Sequence, residues 1–455
     1  MDGRDLRADA LSIWRVGLDA VRSDALVHAA LRLSGNHLVV KDLRIDLNHV
    51  RRILVVGAGK AGAGMAAAVE EVLGPFWLRS KQVTGWVNVP ADCVRPLATI
   101  HLHPARPPGR NEPAPDGVYG SEEILRLVAG CAPGDLCLCL ISGGASALLP
   151  APREGVTLAD KLAVTRFLSA AGANIRELNT VRKHLSRIKG GGLLRACRAG
   201  RLISLVISDV IGDPLDLIGS GPTVPDASTP AEALQILNKY RAAEAGISSR
   251  VFNVLRRSTS GRSAPTCTYH NFIIGNNALA VEAAGRAAVR LGCQTKLKFA
   301  ADLEGPAEEV GRWHAAQALA MRAMPGPNCL ITGGEPVVEL VPEDWRGLGG
   351  RNQQLVLAAL DALRDDGACG IALLSAATDG EDGPTDAAGA MLDARILESA
   401  NRLGLNAADY LRRNDAYRFF EPLDGLIKTG PTHTNVCDLR VVTVDRGRQS
   451  PQVDA

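Results

Sequence analysis

Residues 53–64, Ile-Leu-Val-Val-Gly-Ala-Gly-Lys-Ala-Gly-Ala-Gly, constrain the fold more than any other stretch of this chain. A short apolar run ends in a glycine turn, and a helix-forming segment rich in Ala, Met, Val and Glu follows. That pattern reads as strand, anion-cradling loop and helix. The glycines let backbone amides approach a charged ligand, and the helix adds its positive N-terminal end. Gly57, Gly59 and Gly62 spell the dinucleotide fingerprint G-x-G-x-x-G. Lys60 stands inside it, where a cation would meet a phosphate or carboxylate.

The strand–helix alternation recurs along the chain. Apolar, β-rich runs at 53–56, 83–89, 98–102, 136–141, 202–207, 271–274, 295–299, 328–332, 369–376 and 439–444 predict strands. Alanine-rich segments at 63–73, 158–171, 277–291, 306–323 and 352–364 predict helices between several of them. Such alternation predicts an α/β protein with largely parallel sheets. Leu11, Trp14, Leu18 and Val21 recur at helical spacing and predict an N-terminal helix over 6–32. At 455 residues the chain exceeds one typical core. The turn-forming run at 219–230, Gly-Ser-Gly-Pro-Thr-Val-Pro-Asp-Ala-Ser-Thr-Pro, places a boundary near residue 240, after one further helix. The expected domains are therefore 1–240 and 241–446, followed by a polar tail, 447–455, expected to fray.

Composition narrows the function classes. The chain carries 51 basic and 49 acidic residues, which argues against broad electrostatic binding to nucleic acid or to a membrane surface. The start, Met-Asp-Gly-Arg-Asp-Leu-Arg, has no apolar core of a signal peptide, and no apolar run reaches the roughly 20 residues that span a bilayer. A cytoplasmic protein is expected. Ten cysteines occur without a C-x-x-C pair; Cys137 and Cys139 lie in the strand-like Leu-Cys-Leu-Cys-Leu-Ile. They read as buried, reduced thiols rather than a metal site.

Several further segments combine strand ends with polar groups. After the second predicted strand comes Asn88, with no carboxylate until Asp92, although a nicotinamide site of this type needs an Asp or Glu to hold the ribose. A Walker A loop also fails, because Leu54 stands at its first glycine and Ala61 at its Ser/Thr. Ile141-Ser142-Gly143-Gly144-Ala145-Ser146 offers amides and two hydroxyls at a strand end, suited to an anion, and lacks the G-x-S-x-G of a serine hydrolase. Arg176, Lys183 and Arg187 are expected on one face of a helix ended by three glycines, either as a solvated basic face or near an anionic substrate. Asp209, at another strand end, could hold hydrated Mg²⁺ or cap a turn. Further on stand Glu335 after a glycine turn, and Arg351 and Asn352 at a helix start where an arginine suits phosphate or carboxylate. An acidic run includes Asp379, Asp382 and Asp386, and a polar loop carries Thr434 and Asn435. Each could be structural alone; together they suit a ligand cleft in an α/β protein.

The chain resembles the class II glycerate 2-kinases, the family with a C-terminal MOFRL domain. The resemblance rests on Val-Gly-Ala-Gly-Lys-Ala (56–61), Ile-Ser-Gly-Gly-Ala-Ser-Ala-Leu-Leu (141–149), Asn-Thr-Val-Arg-Lys-His-Leu-Ser (179–186) and Ser-Gly-Pro-Thr-Val-Pro-Asp (220–226). It continues through Gly-Gly-Arg-Asn-Gln (349–353), the acidic run (377–390) and Gly-Pro-Thr-His-Thr-Asn-Val (430–436). It implies a Rossmann-like N-terminal domain, a second α/β domain with the MOFRL region at about 326–446, and an active site in the cleft between them. It also implies ATP- and Mg²⁺-dependent phosphorylation of D-glycerate, usually to 2-phosphoglycerate. The family's catalytic lysine and arginine fall by motif on Lys60 and Arg351. Four positions depart from the family pattern: Ala145 replaces a third glycine, Leu348 a basic residue, His433 a glycine and Cys437 an asparagine.

The resulting expectation is a glycerate 2-kinase acting on D-glycerate and ATP, with no nucleic-acid or membrane partner and with homo-oligomerisation left open. Lys60 is assigned to the moving phosphoryl group or the glycerate carboxylate, and Arg351 to the developing charge. Gly57, Gly59, Ser142, Gly143, Gly144, Ser146, Lys183, Glu335, Asn352, Thr434 and Asn435 are expected to bind substrate or nucleotide, with Asp209 and Asp379 toward Mg²⁺. The alternatives are an NAD(P)-dependent hydroxypyruvate reductase, resting on the glycine fingerprint, and a non-catalytic protein that binds a nucleotide or sugar acid.

Overall fold

The computed structural model describes residues 5–109, 112–257, 264–302 and 304–446; the tail expected at 447–455 lies outside them. Two compact units emerge, one of Ser23–Ile274 and one of the described residues within Met1–Arg22 and Gly275–Ala455.

The first unit is built on a six-stranded sheet ordered Ile100–Arg106, Thr84–Pro90, Ile53–Ala58, Leu136–Ile141, Arg201–Ile207 and Thr268–Gly275. Numbered along the chain, these strands run 3-2-1-4-5-6, the Rossmann order. The four pairings among the first five are all parallel. The central strands are buried on both faces, which explains their unbroken apolar runs. Thr157, Asn174 and Thr229 each start a helix with a capping box closed by Asp160, Glu177 and Glu232.

Three expectations need correction here. The boundary near 240 falls short because Thr268–Gly275 is the sheet's sixth strand, and a strand cannot be separated from the ladder it completes. The helix expected over 6–32 is two helices, Leu6–Asp19 and Ser23–Ala30, followed by a three-stranded meander, Leu31–Ser34, His37–Val40 and Leu43–Asp46. Its first turn is the two-residue Gly35–Asn36, a hairpin signal that outweighs helical spacing. The basic helix is Ile175–His184, so Arg187 lies beyond it and Lys183 is buried rather than solvated.

In the second unit residues 5–22 rejoin the C-terminal half: the Leu6 carbonyl accepts from Thr443 Oγ1 at 3.0 Å. The sheet runs Thr295–Lys298, Cys329–Gly334, Asp438–Val444, Ile371–Ala377, Gly389–Asp393 and Leu426–Ile427. Only its first pair is parallel, so this sheet is mixed rather than largely parallel. The reason is local: no helix intervenes between Ile371–Ala377 and Gly389–Asp393, and a loop without a crossover returns the chain antiparallel.

Every cysteine except Cys369 is buried. Among the described residues, no helix is long and apolar enough to cross a membrane.

The central strand of the first sheet depends on Gly57. A Cβ there would stand 2.1 Å from the Leu140 carbonyl oxygen on the neighbouring strand, and backbone cannot move aside cheaply. Gly57→Ala is expected to lower stability by about 2–3 kcal/mol, seen as a lower urea midpoint. An unchanged midpoint would show that the ladder has room the geometry denies.

Candidate active site

Strand order places a topological switch point between Ile53–Ala58 and Leu136–Ile141, and open α/β sheets bind ligands beyond the carboxyl ends of strands at such a point. The two glycine loops of the sequence meet there. Lys60 N donates to the Gly143 carbonyl at 2.9 Å, Ala61 N to Ser142 Oγ at 3.1 Å, and Gly59 N to the Asn88 carbonyl at 3.2 Å. Ser142 N returns to the Ala58 carbonyl at 3.1 Å. Gly59 is obligatory: its φ is +147°, and a Cβ would fall 1.9 Å from Ser142 Oγ.

This interlock revises the first loop. Its amides at 59, 60 and 61 are spent on the neighbouring loop and strand, so it is not an open cradle for phosphate. The second loop differs, because the Gly143 and Gly144 amides donate to no protein acceptor among the described residues. Gly144 adopts φ +80°, and the space beside its Cα is bordered by the stem of Lys60 and the guanidinium of Arg106. The Lys60 Cγ lies 3.4 Å, and the Arg106 Nη2 4.0 Å, from where a Cβ would stand. Lys60 is partly exposed, whereas Arg106 is buried.

Below the loop, Lys189 Nζ donates to the Ser146 carbonyl at 2.8 Å, and Ser146 Oγ pairs with Ser220 Oγ at 3.0 Å. Ser220 also donates to Asn179 Oδ1 at 3.3 Å, tying in the Ile175–His184 helix. Burial, then the charges of Arg182 and Lys161, holds the Lys189 ammonium well below the ordinary lysine range. Lys183, expected to meet substrate, instead faces two carboxylates, Asp216 at 3.2 Å and Asp226 at 3.5 Å. Asp209 stands partly exposed just past the Arg201–Ile207 strand.

The second unit assembles a chain of alternating charges. Arg351 donates through Nε and Nη2 to Asp438 at 2.8 and 3.0 Å, and through Nη1 to Glu335 at 2.8 Å. Arg440 pairs with Glu304 at 2.7 and 2.9 Å and lies 3.9 Å from Asp438. The bidentate face of Arg351 is thus turned to a fully buried carboxylate rather than to a ligand. Burial opposes its charge, but Asp438 and Glu335 more than reverse this, raising its pKa above the usual arginine value. Three of the five guanidinium N–H groups are used; the side chain keeps 30% exposure, leaving two for a ligand.

The helix N-terminus beside Arg351 is occupied from within. Asp382 accepts from Asn352 N at 3.0 Å and Gln353 N at 2.9 Å, so a carboxyl of the chain sits where an anion was expected. Asn352 is fully buried and accepts from Ser375 Oγ. Thr434 is buried too, its hydroxyl donating to the Val21 carbonyl, while Asn435 Oδ1 accepts from Cys437 N at 3.3 Å. Asp379 is partly exposed and accepts from Glu381 N at 3.0 Å. The two departures His433 and Cys437 both hold positive φ, +56° and +66°, the region that glycine and asparagine tolerate best. Among the described residues, no group of three or more His, Cys, Asp or Glu is placed to hold a metal ion.

Sequence reading missed Lys189, Arg106, Asp438 and Arg440 as parts of these sites, and placed Asp382 only within an acidic run rather than on the Arg351 helix. Lys189 had a signal, a lysine abutting three glycines. Asp438 and Arg440 had a fainter one, charges inside an apolar strand that burial permits only in pairs.

The switch point thus carries a glycine loop with two amides that find no acceptor among the described residues, beside basic side chains, the kind of donor set that suits an anion. The chain matches the Domain of unknown function DUF4147 over residues 9–256 and the MOFRL family over 328–438. It is 36% identical to human glycerate kinase, across 96% of this chain and 93% of the human one. It is 39% identical to a putative hydroxypyruvate reductase of Agrobacterium vitis, across 86% of this chain and 99% of that one. The crystal structure of a Thermotoga maritima glycerate kinase superposes with a TM-score of 0.81 at 33% identity, covering 97% of this chain and 99% of that one. The chain belongs to the glycerate kinase family with a C-terminal MOFRL region.

Asp382 makes the second unit sensitive to pH. Burial, joined by the charge of Asp438, pushes its carboxyl from 3.8 up to about 7, against the amides that favour the anion. Between those two values the unfolded chain has released a proton that the folded chain keeps, so stability falls as pH rises through that window. Asp382→Asn is expected to flatten this part of the profile of urea midpoint against pH. A slope identical in variant and parent would place the titration elsewhere.

Proposed function

We propose that this protein transfers the γ-phosphoryl group of ATP to D-glycerate, at the 2-hydroxyl, giving 2-phosphoglycerate. The observation that supports the reading is a glycine loop whose Gly143 and Gly144 amides find no acceptor among the described residues, with the Lys60 side chain and the Arg106 guanidinium beside Gly144. Phosphoryl transfer asks chiefly for alignment and for cations around the moving group, and this loop supplies fixed donors and charge. Lys60, partly exposed, acts on the phosphoryl group or the glycerate carboxylate. Arg351, locked by two carboxylates, offers its remaining N–H groups in a fixed direction to developing charge.

Magnesium fits the same reading through its preference for one or two carboxylates plus phosphate oxygens. Asp209 and Asp379, single carboxylates on separate loops, would each be such a ligand, and the ion would neutralise charge on the phosphates.

The reductase reading draws support from the Agrobacterium vitis relative's name. The geometry of the fingerprint speaks against it. Three of the loop's amides are engaged within the protein, and Asn88, at the position that would hold the ribose, is buried with its amide on the Leu148 carbonyl at 2.8 Å. Trp86 Nε1 donates to its oxygen at 3.1 Å.

ADP release with ATP and D-glycerate, with NMR identification of the product, tests the proposal. A 3-phosphoglycerate product would move the acceptor to the other hydroxyl, and NADH oxidation by hydroxypyruvate without ATP would overturn the reaction class. Lys60→Ala is expected to fold and to lose on the order of 100-fold or more in kcat. Near-parental turnover in that variant would remove Lys60 from the chemistry.

A further inference from the structure

The second unit contains a cavity of about 460 Å³ that none of the residues discussed so far requires. It opens at the carboxyl ends of the parallel pair Thr295–Lys298 and Cys329–Gly334, joined through the Ala307–Ala323 helix. This is the place where a β-α-β unit offers a ligand site. Phe299, Val310 and Trp313 give it apolar and aromatic walls, and Thr332 and Gly333 form part of its lining. His314 is fixed against it, with Nδ1 at 2.8 Å from the Val310 carbonyl and Nε2 at 2.9 Å from Thr332 Oγ1. Burial, then the charge of Arg440, holds this histidine down at about 3, so it lines the cavity as a neutral ring.

The charges of the lining decide what fits. Asp302, Glu304 and Glu309 line the cavity beside Lys298, whose ammonium stands 4.3 Å from the Trp313 ring centre. Glu304 is committed to Arg440, but Asp302 and Glu309 are exposed acceptors. A carboxylate or phosphate would be repelled there, and glycerate would leave most of the volume empty. A neutral planar ring bearing amine donors and a hydroxylated sugar meets both the aromatic wall and the acceptors. The cavity lies within the 300–1,000 Å³ usual for such ligands, roughly.

Its position links it to the charge chain. Thr332 pairs in register with Arg440 and Gly334 with Asp438, so the lining strand runs directly to Glu335 and Arg351. We propose that this cavity is the nucleoside subsite of the kinase, holding the adenine against Trp313 and the ribose against the Asp302 and Glu309 acceptors. This rests on the phosphoryl-transfer reading and adds to it where the nucleotide's neutral end is held.

The test pairs kinetics with binding of adenosine, which carries no phosphate. Trp313→Ala removes the aromatic wall, and Val310→Phe fills the cavity from a partly exposed helix position should the first variant fold poorly. Each is expected to raise KM for ATP at least about 10-fold, the scale of a lost base-stacking contact, with KM for D-glycerate within about twofold. Saturation-transfer NMR is expected to show adenosine bound to the parent and lost from both variants. An active parent whose variants keep ATP KM and adenosine binding unchanged would overturn the subsite. Should the parent release no ADP, the kinase reading fails separately. Adenosine binding then still decides: its loss in the variants supports the site, and its persistence refutes it.

Discussion

The first unit turns on an interlock between two glycine loops. Gly59 can approach Ser142 only because it has no side chain, and that approach delivers Lys60 N to Gly143 and Ala61 N to Ser142 Oγ. Two consequences follow. The first loop loses its capacity to bind anions by its own amides, and the second is held open with its amides at 143 and 144 unspent. The first loop therefore acts as a splint for the second. Lys189 completes the support from below by donating to the Ser146 carbonyl at 2.8 Å.

The second unit solves a different problem, the placing of a rigid cation among acids. Asp438 is fully buried and would be costly without partners; Arg351 and Arg440 supply them, and Glu335 and Glu304 balance those in turn. From Glu304 to Glu335 the five side chains carry one more negative than positive charge. Such a cluster does not attract anions by excess charge. It offers direction instead, holding the guanidinium of Arg351 so that its two remaining donors point one way at no cost in reorganisation. Lys60, on a flexible stem, is the complementary kind of cation.

The fold was legible wherever it was local. Every strand expected from an apolar run is present, and the helix expected at 63–73 stops where Gly74 leaves helical geometry at φ +65°. What escaped was non-local or cryptic. The return of residues 6–19 to the C-terminal unit depends on packing against partners hundreds of residues away. The meander at 31–46 escaped because its three strands are only four residues each, too short for a clear apolar run. In the site, glycine loops and Lys60 were visible because their chemistry is written in consecutive residues. The partners that decide their roles were not: Asp438 and Asp382 reach Arg351 and its helix from 87 and 29–30 positions away.

The fingerprint Gly57-x-Gly59-x-x-Gly62 shows why a motif needs its surroundings. In a dinucleotide site the same three glycines free amides for a pyrophosphate, and an acid on the next strand holds the ribose. Here the glycines serve contact with protein: Gly57 with Leu140, Gly59 with Ser142, Gly62 with Val87. The next strand ends in Asn88, already bonded to Trp86 and Leu148. The spacing is shared, but the acceptors are supplied by the chain itself. Lys60 stands in the same turn, so under the proposed phosphoryl transfer it is the lysine, rather than amides already engaged within the protein, that would meet a terminal anionic group.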